Sequence, residues 1–252
     1  MLNAIFWGII QGLTEFLPIS SSGHLVLVPA LLGQEGPDLA TSAMLHLGTL
    51  VAVVVYYRSE IAAMAKFDRP ARRLITLIII GSIPAAILGL TFEDQIEELV
   101  SDPVAVAFML ILTGIILLAT TLLRVGDRTM TTIGPKDSFL IGLAQSLALI
   151  PGISRSGMTI SAGMARGMEK TQAANFAFLL GIPVIAGAGL LSMYDVISSG
   201  ETIPAEVWVG MVAAGLSGYA AIAILLKLLA RVGLAPFGVY CVAFGIFSII
   251  ML

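Results

Sequence analysis

Runs of apolar residues recur along the whole chain, several of them approaching the ~20 residues needed to cross the hydrocarbon core of a bilayer, and almost no charge interrupts them. With 58% of its residues hydrophobic, 12% charged and a mean hydropathy of +1.02, the chain has too little charge to coat a soluble domain of 252 residues. The fold class expected is an all-α polytopic membrane protein, one integral membrane domain over 1–252 with no soluble domain at either end. The first Lys or Arg is Arg58, so the opening apolar run lacks the basic lead of a secretory leader and reads as mature structure. Cys241 is the single cysteine, and His24 and His46 are the only histidines, which excludes an internal disulfide and a thiolate or multi-histidine zinc site.

Two of the apolar runs are broken. Leu2 to Leu17 is about 24 Å long at ~1.5 Å per residue, too short to cross, and ends at Pro18 and an SSSG run before Leu25 to Leu32 resumes. Phe139 to Ile150 ends likewise at PGISRSG before a short return to Met164. Each is read as a helix, a break and a helix that dips into the membrane and returns, a course tolerated only where it is buried in protein or lines a wet cavity. Full spans are expected at Ala40 to Tyr57, Leu74 to Leu90, Val104 to Leu123, Ala174 to Tyr194, Val207 to Leu229 and Leu234 to Leu252. Gly8, Gln11, Ser20, Ser22, Gly23 and Gly33 recur as Gly142, Gln145, Ser154, Ser156, Gly157 and Gly167, every pair 134 residues apart. Each half, about 1–124 and 135–252, is thus one re-entrant pair plus three spans. An odd number of crossings inverts the second half relative to the first, and such repeats bring broken helices together near the midplane.

Charge tests that topology independently. If the first hairpin enters from outside, the positive-inside rule requires basic residues after the first and third spans, around the second hairpin and after the fifth span. Arg58, Lys66, Arg69, Arg72, Arg73, Arg124, Arg128, Lys136, Arg166, Lys170, Lys227 and Arg231 fall there, twelve of the 13 basic residues. The opposite loops are acidic, with Glu93, Asp94, Glu97, Glu98, Asp102, Asp195, Glu201 and Glu206. Both termini are expected outside.

The thirteenth basic residue, Arg155, lies inside the second break. An arginine at that depth costs at least ~2.5 kcal/mol by insertion scales and needs an anionic partner. Two readings stand: an ion pair with Glu15 across the hairpins, or an anionic ligand suited to the planar guanidinium, phosphate above all. SSSG and SRSG each open a helix, whose free N–H groups favour an anion. Gln11 and Glu15 share a helical face four residues apart. Ser20, Ser21, Ser22, Ser154 and Ser156 read equally well as caps or as ligands. Ser21 and His24, three apart, are placed to cooperate in proton transfer. His46 in LHLG is a candidate neighbour of the site, and Gln145 and Thr159 are supporting groups.

The stretch QGLTEFLPISSSGHL, from Gln11 to Leu25, resembles the glutamine/glutamate-rich signature of the bacterial undecaprenyl-diphosphate phosphatases, the bacitracin-resistance proteins. PGISRSG, from Pro151 to Gly157, resembles their second, arginine-bearing signature, and the resemblance covers essentially the whole chain. It implies hydrolysis of undecaprenyl diphosphate to the monophosphate at the outer face of the bacterial cytoplasmic membrane, recycling the carrier for cell-wall synthesis. The catalytic residues carried over are Glu15, Ser21, His24 and Arg155, with Gln11 standing where many members have a second glutamate. Gln11, Ser20, Ser22, Gly23, Ser154, Ser156 and Gly157 would bind substrate. A divalent cation, Mg2+ or Ca2+, is implied too, with Glu15 and Gln11 as its ligands. Ser21 as nucleophile with Glu15 or His24 as base competes with His24 as nucleophile and with a directly activated water. A carrier of polyprenyl phosphate or another organic anion is the second class, because inverted repeats with broken helices are also a transporter signature. The expected partners are the lipid diphosphate, the bilayer and a second copy of the chain, with no nucleic acid.

Overall fold

The computed structural model describes residues 1–92, 102–124, 126–198 and 203–252. Helices α1 (Leu2–Phe16) and α2 (Ser21–Leu32) form the first broken pair, followed by α3 (Leu39–Tyr56), α4 (Arg58–Met64), α5 (Arg69–Thr91) and α6 (Pro103–Ala119), which ends in a 3-10 turn at Thr120–Leu122. The second pair is α7 (Pro135–Leu147) and α8 (Arg155–Ala165), followed by α9 (Lys170–Ser198), α10 (Ala205–Val232) and α11 (Ala235–Met251). Among the described residues there is no strand, only an isolated bridge between Arg128 and Met168. The acidic residues Glu93, Asp94, Glu97, Glu98 and Glu201 lie outside the described residues.

The chain is a multi-pass membrane protein. Helix α5, α6 with its turn, α9 and α10 are each long and apolar enough to cross, and α3 with α4 would count as a fifth only if that bent pair formed one span. Helix α11 is apolar but 17 residues long. Helix α4 was not expected from the sequence. It bends 73° away from α3 because Arg58 and Glu60 cannot continue into hydrocarbon, and Arg58 instead donates to the Val55 carbonyl at the end of α3 (3.1 Å). Asp38, Asp68 and Asp102 cap α3, α5 and α6, accepting from the backbone of Thr41 (2.7 Å), Ala71 (2.9 Å) and Val104 (2.9 Å).

The short helices are held inside a cage of long ones. Helix α1 packs along α10 and α3, α7 along α5, α11 along α6, and α9 lies against α3, α5 and α8. Close approach depends on glycine: a Cβ at Gly8 would strike the Gly210 carbonyl of α10, and one at Gly142 the Gly81 carbonyl of α5. In lipid such small-residue contacts substitute for a hydrophobic driving force between helices. At one end Asp137 binds both Arg128 (2.6 Å) and Arg166 (2.7 Å), while Arg73 donates to the carbonyls of Met130 and Ile133. This cluster pins the loop that launches α7.

Candidate active site

Both breaks are built by proline and serine. Leu17 is pushed to extended backbone (φ −64°, ψ 141°) by Pro18, which ends α1. Two residues later Ser20 adopts φ +66°, a region costly for any residue with a Cβ, and its Oγ accepts from the Gly23 N–H (3.1 Å) to start α2. Ser154 does the same for α8, accepting from the Gly157 N–H at 3.1 Å. The tips then touch: Gly152 N–H donates to Ser22 Oγ (3.3 Å) and Ser156 Oγ to the Leu17 carbonyl (3.2 Å). Thr113 of α6 braces the contact, donating to the Gly152 carbonyl and accepting from the Ser154 N–H, each at 3.1 Å.

Where the tips meet, one carboxylate gathers the functional groups. Glu15 Oε2 accepts from Ser21 Oγ (2.6 Å) and Gln11 Nε2 (3.0 Å), and Oε1 pairs with the Arg155 guanidinium. Arg155 also reaches the Gly181 carbonyl of α9 (3.3 Å). Beside them opens a cavity of about 210 Å³ whose wall includes Glu15, Ser21, Arg155, His46, Gln145 and Ser154. A carboxylate on a serine hydroxyl is a short charge-assisted bond already directed along a proton-transfer path. Glu15, Ser21 and Arg155 are thus brought together as expected, by residues 140 apart in the chain.

Other expected groups stand elsewhere. The N–H groups of Gly23 and Gly157 are consumed by the serine caps, which leaves the first-turn amides before them, at Ser21 and Ser22 and at Arg155 and Ser156, without an intrahelical acceptor. Gln11 is fully buried behind Glu15 and outside the cavity wall. Its Oε1 has no hydrogen-bond partner, and neither has Oε1 of Gln145, its counterpart in the second half. Thr159 bonds back to the Arg155 carbonyl (2.7 Å). Ser20, Ser22 and Ser154 wall the cavity as well as shaping the breaks.

His24 corrects the pairing with Ser21. Its Nδ1 faces the Ser20 carbonyl (2.8 Å), which can only accept, so Nδ1 carries the proton and the neutral ring's Nε2 accepts from the Tyr240 hydroxyl (2.7 Å). The ring stacks on Tyr240 and Phe244 of α11, with centroids 5.7 and 5.0 Å away. His24 therefore holds Ser20 in its strained conformation and turns away from the cavity. The histidine in the cavity wall is His46, whose Nδ1–H donates to the Ser42 carbonyl (2.8 Å) and leaves Nε2 to accept. Tyr240 and Phe244 carried no signal in the sequence, being ordinary members of an apolar span.

The family described as bacitracin resistance protein BacA matches residues 4–247. The chain is 41% identical over 253 residues to the undecaprenyl-diphosphatase of Halothermothrix orenii, covering 100% of this chain and 98% of that protein. It is 43% identical over 252 residues to the undecaprenyl-diphosphatase of Pelobacter propionicus, covering 94% of this chain and 92% of the other. The undecaprenyl-diphosphatase of Methanobrevibacter smithii is 38% identical over 265 residues, covering 98% of this chain and 95% of the other.

Proposed function

The chain belongs to the bacitracin resistance protein family, and on that premise we propose that it hydrolyses undecaprenyl diphosphate to undecaprenyl phosphate and inorganic phosphate. The observation that carries the reading is the Ser21 hydroxyl 2.6 Å from Glu15, with Arg155 on the carboxylate's other oxygen. An arriving diphosphate competes with Glu15 for Arg155. As the guanidinium turns to the phosphate oxygens, Glu15 keeps Ser21 and becomes its base. Ser21 Oγ attacks the terminal phosphorus, its proton passes to Glu15, and the bond to the bridging oxygen breaks to release the lipid monophosphate. Arg155 and the first-turn amides of α2 and α8 balance the charge on the transferred group. Water then attacks the phosphoserine, losing its proton to His46 Nε2, while Glu15 returns its proton to Ser21 Oγ as the bond from that oxygen to phosphorus breaks, freeing phosphate and Ser21. His46 is the histidine able to exchange protons here; His24 positions the break. A carrier of the lipid phosphate would need Arg155 and the helix ends, but would leave the Ser21–Glu15 bond without a purpose.

The same reading holds the chain to be an inverted repeat of two re-entrant pairs and six spans, in the bacterial cytoplasmic membrane with both termini and the cavity outside. Its support is the basic-loop pattern and the matching placement of α1 on α10 and α7 on α5, each through a glycine pair. A divalent cation suits the donor set. Glu15 offers a carboxylate in the cavity wall, where the diphosphate and water would complete the ligands of a hard ion, whereas Gln11, buried behind Glu15 with its amide nitrogen on that carboxylate, lies outside the cavity. Bound there, Mg2+ or Ca2+ would neutralise charge on the diphosphate oxygens.

Phosphate release by the purified protein from undecaprenyl diphosphate, with Mg2+, Ca2+ or a chelator, tests the reading. Wild type turns over with metal and loses activity in chelator, and Ser21→Ala falls by about a thousandfold or more. A folded wild type that binds the lipid yet releases no phosphate under any metal condition refutes the hydrolase reading.

A further inference from the structure

Among the described residues, three buried side-chain atoms have no hydrogen-bond partner: Gln11 Oε1, Gln145 Oε1 and Ser161 Oγ. Gln11 and Ser161 lie outside the wall of the polar cavity, so Gln145 alone of the three stands against the space where the chemistry takes place. It is 1% exposed and sits on α7 three residues after Gly142, the glycine that lets α7 approach Gly81 of α5. Its Nε2 donates to the Gly81 carbonyl across that contact, at 3.5 Å. Turning the amide over would set two acceptors against each other, so the atom left open is the oxygen. The repeat brings out the difference between the halves. Gln11 donates to the carboxylate four residues later, whereas the residue four after Gln145 is Leu149. Gln145 is thus independent of the ion pair.

An orphaned buried acceptor is a cost in the folded state. A carbonyl-type oxygen also repels the phosphate oxygens that Arg155 attracts, so the group it suits is one that brings a hydrogen. The same holds for His46 on α3, whose Nδ1–H is held by the Ser42 carbonyl and whose Nε2 is left to accept. We propose that Gln145 Oε1 holds the water that hydrolyses the phosphoserine. The inference rests on the phosphatase reading and goes beyond it by assigning the second acceptor for that water. Water attacks phosphorus through a lone pair, and the lone pair is aimed only when both hydrogens are engaged elsewhere. His46 Nε2 takes one as a proton, and Gln145 Oε1 accepts a hydrogen bond from the other. The bond from water oxygen to phosphorus forms as the bond from Ser21 Oγ breaks, Glu15 returns its proton to Ser21, and the hydrogen held by Gln145 leaves with the phosphate. An amide suits the task because it cannot take the proton itself. Attack on the diphosphate by Ser21 involves no such water, so Gln145 belongs to the second half of the reaction only.

Gln145→Met keeps the length of the side chain, removes the acceptor and gives up one bond at the limit of reach, so the variant should fold. With undecaprenyl diphosphate radiolabelled in its terminal phosphate and Mg2+ present, kcat should fall about tenfold or more and acid quenching should trap phosphoserine. KM should fall in step, because kcat/KM reports only the events up to formation of the phosphoserine; that ratio should stay within about twofold of wild type. A role in helix packing or in binding the diphosphate would lower kcat/KM instead and overturns the proposal. So does a kcat/KM that excess Mg2+ restores, the mark of a lost metal ligand. Gln145→Ala, with room for a water in place of the amide, should show the same pattern at smaller amplitude, and it decides the question should the methionine variant not fold. Normal turnover without phosphoserine in the variants refutes the proposal and leaves the phosphatase reading standing, whereas a folded wild type that releases no phosphate removes both.

Discussion

Removing Arg155 should cost stability as well as activity, and should cost no further stability once Glu15 has been neutralised. The Glu15 side chain is 4% exposed and that of Arg155 19%, so Arg155→Ala strands an almost wholly buried carboxylate with only Ser21 and Gln11 as donors. Breaking a buried pair from one side costs ~3–5 kcal/mol. Glu15→Gln is milder, because the guanidinium keeps the Gly181 carbonyl and reaches the cavity, where water can solvate it; losing charge-assisted bonds from Ser21 and Arg155 sets its cost at ~1.5–3 kcal/mol. In the double variant no charge is stranded, so its loss should resemble that of Glu15→Gln alone. The coupling is then ~3 kcal/mol or more in a double-mutant cycle, measured by unfolding the purified protein in detergent at one pH and salt. Single effects that add to within ~0.5 kcal/mol would refute the argument, since that is the behaviour of independent sites.

His24→Asn and Tyr240→Phe should each lower kcat by loosening Ser20, whereas His46→Gln should slow the water step and let phosphoserine accumulate; accumulation in His24→Asn and none in His46→Gln would reverse the two roles. For Asp137, burial works to raise the pKa, but the hydrogen bonds from Arg128, the Gly134 N–H and Arg166 outweigh it and hold the carboxyl well below the usual carboxylate range. A folded-state pKa below the unfolded one contributes stability that is present above the unfolded value, ~3.9, and is lost as pH falls. The Tm gap between wild type and Asp137→Asn should therefore be steady from neutral pH to about pH 5 and close below about pH 4. A gap that widens on acidification would contradict this assignment.

What the sequence made legible was whatever local chemistry dictates. Pro18 and the SSSG run had to end one helix and cap another, and the 134-residue offset showed that PGISRSG would do the same. Helix boundaries fell within a few residues, and Glu15, Ser21 and Arg155 came together as their cost in lipid required. Two features were out of reach for one reason: they depend on partners distant in the chain. His24 and Ser21 are three apart and share a face on an ideal helix, but Tyr240, 216 residues away, takes the imidazole. His46 looked like one more residue of an apolar span until α3 was packed beside the cavity.

For Arg155 the sequence left an ion pair and an anion site as alternatives; the structure shows the ion pair, and under the proposed mechanism the two are successive states of one device. An arginine kept in an apolar break for a substrate that comes and goes would, between visits, be a largely desolvated charge, which is costly without a partner. Glu15 fills that interval. Its pairing with Arg155 holds the two hairpin tips together, and the Ser21 hydroxyl stays on the other carboxylate oxygen throughout. Only a ligand with more oxygens to offer the guanidinium than Glu15 can draw Arg155 away, and a diphosphate does so while leaving the carboxylate less neutralised and therefore more basic toward Ser21. Under the proposed mechanism, binding of the charge to be cleaved and activation of Ser21 are thus the same movement.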